Sequence, residues 1–268
     1  MIRSPAVVGR FYPADRATLE QQVDSFLAPS EVPPRQAIAC LVPHAGYIYS
    51  GHVAGAVYAR LDLPARFILL GPRHYPRGAQ MAILSEGAWR TPLGDVQLDA
   101  ALAAELRTAC PLLREDSVAH EREHALEVQL PFLQRRTGDF RFVPVALGAV
   151  GYDELQMLGR AIARIVTAAA EPVMIVASSD MNHYESDGVT RVKDGKALEQ
   201  ILALDARGLA DVVAREQISM CGVAAAVSAI IAARKLGAKE AELVRYATSG
   251  DISGDREEVV GYAGVVIR

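Results

Sequence analysis

Residues 37–51 read Ala37-Ile38-Ala39-Cys40-Leu41-Val42-Pro43-His44-Ala45-Gly46-Tyr47-Ile48-Tyr49-Ser50-Gly51. The uninterrupted apolar run 37–42 is short for a helix and reads as a strand buried on both faces. Pro43 stops it, and a histidine follows at once. The pattern recurs twice: Arg66-Phe67-Ile68-Leu69-Leu70 leads through Gly71-Pro72 to His74, and Pro172-Val173-Met174-Ile175-Val176-Ala177 leads through Ser178-Ser179-Asp180 to His183. Runs of this kind are the strands of a parallel sheet, and ligands of open α/β sheets gather just beyond the carboxyl ends of those strands. Three of the six histidines are therefore expected on one edge of one sheet.

Outward from these strands, helical and extended patterns alternate. Residues 3–13 form an extended leading segment, and Asp15 is placed to cap a helix running to Leu27. A proline-rich loop (28–36) follows, then strand 37–42 and a helix from His52 to Leu61. Strands are expected at 66–70 and 79–85, with a turn-rich loop at 89–95. A helix spans 99–109, a second runs from His120 to Leu133, and strand 140–147 precedes helix 152–170. Helices at 194–204, 205–215 and 222–236, the last ended by Gly237, lead to strands 242–248 and 258–267. No repeat or linker divides the chain. The expectation is an α/β fold: one domain over 1–268, with a mostly parallel sheet flanked by helices on both faces.

Composition narrows the function classes. Lys+Arg number 28 against 32 Asp+Glu, a net charge of −4 without any basic block, which argues against a nucleic-acid surface. Three cysteines form neither an even disulfide framework nor a C-x-x-C pair, which favours a reducing compartment. Met1-Ile2-Arg3-Ser4-Pro5 lacks the apolar core of a signal peptide, and Gly222–Ala233 is too short to span a bilayer. The expected localisation is cytoplasmic.

The histidine loops carry the chemistry. Gly46 and Gly51 flank the His44 loop, where Tyr47 and Tyr49 offer stacking surface and a phenolic donor. Gly71-Pro72-Arg73-His74 is a rigid turn directly after a strand, and Arg73 offers a cation for an anionic ligand. Imidazole is the commonest metal ligand, and strand ends hold ligands firmly. The plainer alternative for either histidine alone is a loop residue bonded to a nearby carbonyl. Asp180 and His183, three apart, suit a carboxylate that orients a proton-moving imidazole, or else an Asx-turn around Asp180. Cys221 opens a helix, where a thiolate is favoured, but a small buried residue is the ordinary role of a cysteine and the one expected for Cys40 and Cys110.

Residues 120–124 read His-Glu-Arg-Glu-His, which satisfies both H-E-x-x-H and its inverse H-x-x-E-H. On a continuous helix His120 and His124 would share a face, with Glu121 beside them, and a zinc hydrolase would follow. The motif is short, no metzincin extension follows it, and this reading leaves the other histidine loops without a role.

Eight segments in order, RSPAVVGRFYP (3–13), PHAGYIYSG (43–51), GPRH (71–74), WRTPLG (89–94), EHALEVQLPFL (123–133), SSDMNHY (178–184), MCG (220–222) and VVGYAG (259–264), make the chain resemble the Memo family. This is protein B of bacterial AmmeMemoRadiSam systems, similar in fold to the class III extradiol dioxygenases. The resemblance implies a non-haem metal site of two histidines and a cysteine: His44, His74 and Cys221. It also implies that His183 matches the acid–base histidine and that His124 faces the same pocket. A thiolate beside two imidazoles suits Fe(II) or copper, with zinc also accommodated.

The leading expectation is a metal-dependent, dioxygenase-like redox enzyme with His183, Asp180 and His124 in the chemistry and Tyr47 and Arg73 against substrate. The alternatives are a phosphopeptide- or anion-binding module, as the eukaryotic relatives suggest, a metal-sequestering module, and the zinc hydrolase. AMMECR-type and radical-SAM partner proteins are implied by the family name alone.

Overall fold

A computed structural model describes residues 1–27 and 32–268, so the start of the expected proline-rich loop, 28–31, lies outside the described residues. Twelve strands among them form one sheet: β1 (Ile2–Arg3), β2 (Ala39–Val42), β3 (Arg66–Pro72), β4 (Met81–Ile83), β5 (Ala88–Thr91), β6 (Gly94–Leu98), β7 (Arg114–Glu115), β8 (Arg141–Leu147), β9 (Met174–Ser178), β10 (His183–Glu185), β11 (Ala241–Thr248) and β12 (Val259–Ile267). Their main order is β1-β5-β6-β8-β3-β9-β2-β12-β10. The block β6-β8-β3-β9-β2 is parallel throughout. Antiparallel pairs border it, with β12 against β2 and β10 and β11 against β12.

The order matters more than the count. β9 lies between β2 and β3, so the loops after all three strands leave the sheet side by side. The three histidine-bearing loops are neighbours for that reason.

Side-chain alternation builds two cores. Ile68, Leu70, Val143, Val145, Ile175 and Ala177 face one layer of helices. These include α3 (Ala100–Ala109), α6 (Tyr152–Ala168), α8 (Ala206–Arg215) and α9 (Val223–Lys235). Phe67, Leu69, Phe142, Met174 and Val176 face the other layer, which includes α1 (Arg16–Phe26), α2 (Tyr47–Ala59) and α5 (Leu130–Thr137). Such period-two alternation with both faces covered is what continuous apolar strands require. The alanine-rich face of α9 packs directly on β3, β9 and β2, which brings the start of that helix to their carboxyl ends.

Four local expectations change. The stretch 89–95 is not a loop but a hairpin, β5 to β6, turning at Pro92-Leu93 with Gly94 at φ 131°. The expected helix 120–133 is broken into α4 (Val118–Glu121), a turn, a 3₁₀ segment (Glu127–Gln129) and α5. The cause is Glu123, whose carboxylate accepts the backbone N–H groups of His124 and Ala125 and so diverts them from a helical ladder. Helix α2 starts at Tyr47 rather than His52, and the helix expected at 194–204 starts at Asp187, as α7 (Asp187–Leu202). Among the described residues no helix is long and apolar enough to cross a membrane.

Candidate metal centre

His44 follows β2 and is 1 % exposed. Its backbone N–H donates to Asp180 Oδ1 at 2.7 Å, and its Nδ1 lies 2.9 Å from Ser178 Oγ at the end of β9. Burial, followed by the neighbouring His74, holds its pKa well below the usual imidazole range, so the ring is neutral.

His74 follows β3. Its backbone N–H donates to Glu123 Oε2 at 2.6 Å, and its Nδ1 lies 2.9 Å from Glu123 Oε1. Burial pushes the Glu123 carboxyl up, but the His74 hydrogen bond, the charges of His74 and His124 and the Ala125 N–H outweigh it and hold it at about 2. The carboxylate is therefore ionised and can only accept, so His74 Nδ1 donates to it, and in the neutral ring Nε2 carries the lone pair. Burial also lowers the His74 pKa, yet the Glu123 hydrogen bond and charge raise it on balance.

Cys221 stands just before α9. Its Sγ lies 3.2 Å from His44 Nε2 and accepts the Asp180 backbone N–H at 3.3 Å. The next residue is glycine because a Cβ there would collide with the Ser178 carbonyl oxygen and the Ser179 side chain. Burial and the Asp180 charge push the Cys221 thiol up, a penalty that a bound cation reverses.

One ligand atom from each of His44, His74 and Cys221 can be chosen so that all lie within 4.8 Å of one another. In a tetrahedral site with metal–nitrogen and metal–sulfur bonds of about 2.1 and 2.3 Å, ligand atoms stand roughly 3.4–3.6 Å apart. The chemistry of two imidazoles and a thiol fits such a site, and the 3.2 Å between His44 Nε2 and Cys221 Sγ is close to that spacing. A second group, His74, Glu123 and His124, meets the same 4.8 Å limit. Glu123, however, already accepts from His74 Nδ1, His124 N and Ala125 N at Oε1 and from His74 N at Oε2, so most of its acceptor capacity is committed within the protein. Glu123 orients His74 through two of these bonds.

His124 stacks on His74, with ring centroids 4.5 Å apart and planes at 20°, and meets His44 edge-on at 5.6 Å. Burial and the His44 charge push its pKa down to about 4. His183 lies on β10, where its backbone N–H donates to Ser219 Oγ at 2.7 Å and its buried Nδ1 has no hydrogen-bond partner.

Several expected roles change. Asp180 does not hydrogen-bond His183; its Oδ1 accepts the His44 backbone N–H and so anchors the His44 loop. Tyr47, expected against substrate, is 2 % exposed, packs on Phe132 and donates its hydroxyl to the Val128 carbonyl at 2.6 Å. Arg73 staples its own loop, donating to the carbonyls of Arg77, Gly78 and Ala79. The zinc-hydrolase geometry fails because α4 ends at Glu121, before His124. His120 instead lies fully buried against Trp89, outside both ligand groups, and burial, then Arg3, pushes its pKa down to about 4.

Three residues of the site were not singled out in the sequence: Glu123, Ser178 and Gln129. Ser178 ends a strand and Glu123 abuts His124, so adjacency was their only signal.

A profile describing Memo-like proteins matches residues 3–266. The chain belongs to the Memo family. A MEMO1 family protein of Methanopyrus kandleri is 41 % identical over 281 residues, covering 100 % of this chain and 99 % of that protein. MEMO1 family proteins of Caldivirga maquilingensis and Sulfolobus acidocaldarius are each 40 % identical, the former over 98 % of both chains and the latter over 99 % of both. The crystal structure of an uncharacterized Escherichia coli K12 protein shares the fold, with a TM-score of 0.51 and 10 % identity, covering 84 % of this chain and 99 % of that one. The Memo family motifs thus contribute the His44, His74 and Cys221 loops and the Glu123-His124 turn to one cluster.

Proposed function

We propose that this Memo family protein is a metal-dependent redox protein whose ion, Fe(II) or copper, is held by His44 Nε2, His74 Nε2 and Cys221 Sγ. The observation that carries this reading is the commitment of the opposite nitrogen of each histidine, to Ser178 and to Glu123, which leaves His44 Nε2 3.2 Å from the Cys221 sulfur and His74 Nε2 as that ring's remaining ligand atom. Carboxylate–histidine and hydroxyl–histidine pairs of this kind fix ring orientation at metal sites. Three protein ligands would leave room for a further ligand, and a redox-active ion held there would supply electron transfer and Lewis acidity.

The chain's own groups do the rest. His124, neutral at physiological pH, presents an uncharged imidazole beside the ligands. His183 Nδ1, free of partners, is the group able to take or give a proton. Membership of an AmmeMemoRadiSam system, with AMMECR-type and radical-SAM partners, belongs to the same proposal and rests on the family alone.

Two other readings compete less well. For anion or phosphopeptide binding, the expected cation Arg73 already commits its Nη1 to carbonyls of its own loop. Sequestration would use the same ligands to hold the ion without catalysis, with the ion closed to small molecules. Nitric oxide added anaerobically to the Fe(II)-loaded protein separates it from catalysis. An electron paramagnetic resonance signal from an iron–nitrosyl centre is expected; its absence in protein that holds iron would favour sequestration.

A further inference from the structure

Beneath the ligands runs a buried chain of hydrogen bonds in which every proton can be placed. Gln129 Nε2 lies 2.9 Å from the Pro43 carbonyl and 3.0 Å from Ser178 Oγ, and Tyr58 Oη lies 3.0 Å from Gln129 Oε1. The Pro43 carbonyl can only accept, so the amide nitrogen must face it and the tyrosine hydroxyl must donate to Oε1. Ser178 Oγ lies 2.7 Å from the Ala125 carbonyl, another group that can only accept, so the single serine proton goes there. What remains on Ser178 is acceptor capacity for two donors. Gln129 Nε2–H takes one place, and His44 Nδ1–H must take the other. The tautomer of His44 follows.

We infer that Ser178 and Gln129 are positioning residues that lock His44 in its Nδ1–H tautomer and hold its Nε2 lone pair toward Cys221. Both side chains are fully buried, so water has no access to offer an alternative partner. The same Ser178 hydroxyl, through Ala125, ties β9 to the turn whose Glu123 orients His74. One hydroxyl therefore couples the settings of both histidine ligands, and Tyr58 on α2 fixes the amide that feeds it. The inference rests on the metal-site reading for its purpose but not for its test, since the tautomer is defined without an ion.

The test is Ser178→Ala, with Tyr58→Phe as a more conservative second variant that keeps Ser178 intact. Nitrogen-15 NMR of the metal-free protein at neutral pH reads the His44 tautomer directly. Wild type is expected to show a protonated Nδ1 and an unprotonated Nε2. Ser178→Ala is expected to lose that single-tautomer signature and to bind Zn(II), used as a redox-inert probe, about 10–100-fold more weakly. Tyr58→Phe is expected to weaken binding in the same direction by a smaller factor, which keeps the inference testable if Ser178→Ala does not fold. A wild-type His44 protonated at Nε2, or a folded Ser178→Ala with unchanged tautomer and unchanged zinc affinity, would overturn the inference. A locked tautomer in a wild type that binds no metal would preserve the positioning role and sink the functional proposal instead.

Discussion

Glu123 carries the most chemistry for a residue with no fractional exposure. It accepts four N–H groups, breaks the helix that H-E-R-E-H would otherwise extend, and orients His74. Its carboxyl, held at about 2 against an ordinary value of 4.5, contributes stability that is complete above pH 4.5 and lost as pH falls through 2. That contribution is on the order of 3 kcal/mol. Glu123→Gln removes this dependence: denaturant midpoints of wild type should fall across pH 4.5 to 2, while those of the variant change less. The His74 pKa, raised by this carboxylate, should drop in the same variant as followed by NMR. At this scale the sequence was only partly legible. His44, His74 and Cys221 are marked by residue type and motif, whereas Ser178, Gln129 and Glu123 act through bonds that no spacing announces. Tyr47 misled because a tyrosine beside a histidine looks accessible, yet its place at the start of α2 turns it into the core.

At the scale of elements, the segment that leads the chain is a clamp. Arg3 on β1 donates to the carbonyls of His120 and Glu123 and pairs with Glu127 at 2.7 Å, while its guanidinium lies 4.1 Å from the centre of the Trp89 ring. Glu127 in turn accepts from the backbone N–H groups of Ala6 and Val7 and from Tyr12 Oη. The turn carrying Glu123 and His124 is thus gripped on both sides by residues 3–12. Removing one member of a buried, hydrogen-bonded pair leaves the other charge uncompensated. Glu127→Gln should therefore cost about 3–5 kcal/mol in urea unfolding; a loss below 1 kcal/mol would show the clamp to be dispensable. The sequence marked residues 3–13 as extended and no more, because the partners stand over 100 positions away. The 89–95 hairpin was hidden for a related reason: Pro92 and Gly94 signal a turn, and only the pairing of β5 with β1 and β6 shows what the turn joins.

For the molecule as a whole, the decisive feature is the insertion of β9 between β2 and β3. Each strand was legible as an apolar run, and the α/β class with helices on both faces followed from their alternation. The order of the strands was not legible, since apolar runs of one kind carry no label of their neighbours. That order sets the His44, Ser178 and His74 loops side by side and lets α9 deliver Cys221 to the same edge. The antiparallel borders formed by β10, β11 and β12 extend the sheet without disturbing that edge. This edge is the proposed metal site of two histidines and one cysteine. Its most direct test is metal content and affinity after anaerobic loading with Fe(II) or Cu(I), in wild type and in His44→Ala, Cys221→Ala and His120→Ala. One tightly bound ion per chain is expected, lost in His44→Ala and Cys221→Ala and retained in His120→Ala. No tight ion in the wild type, or an ion retained without His44 and Cys221, would contradict it.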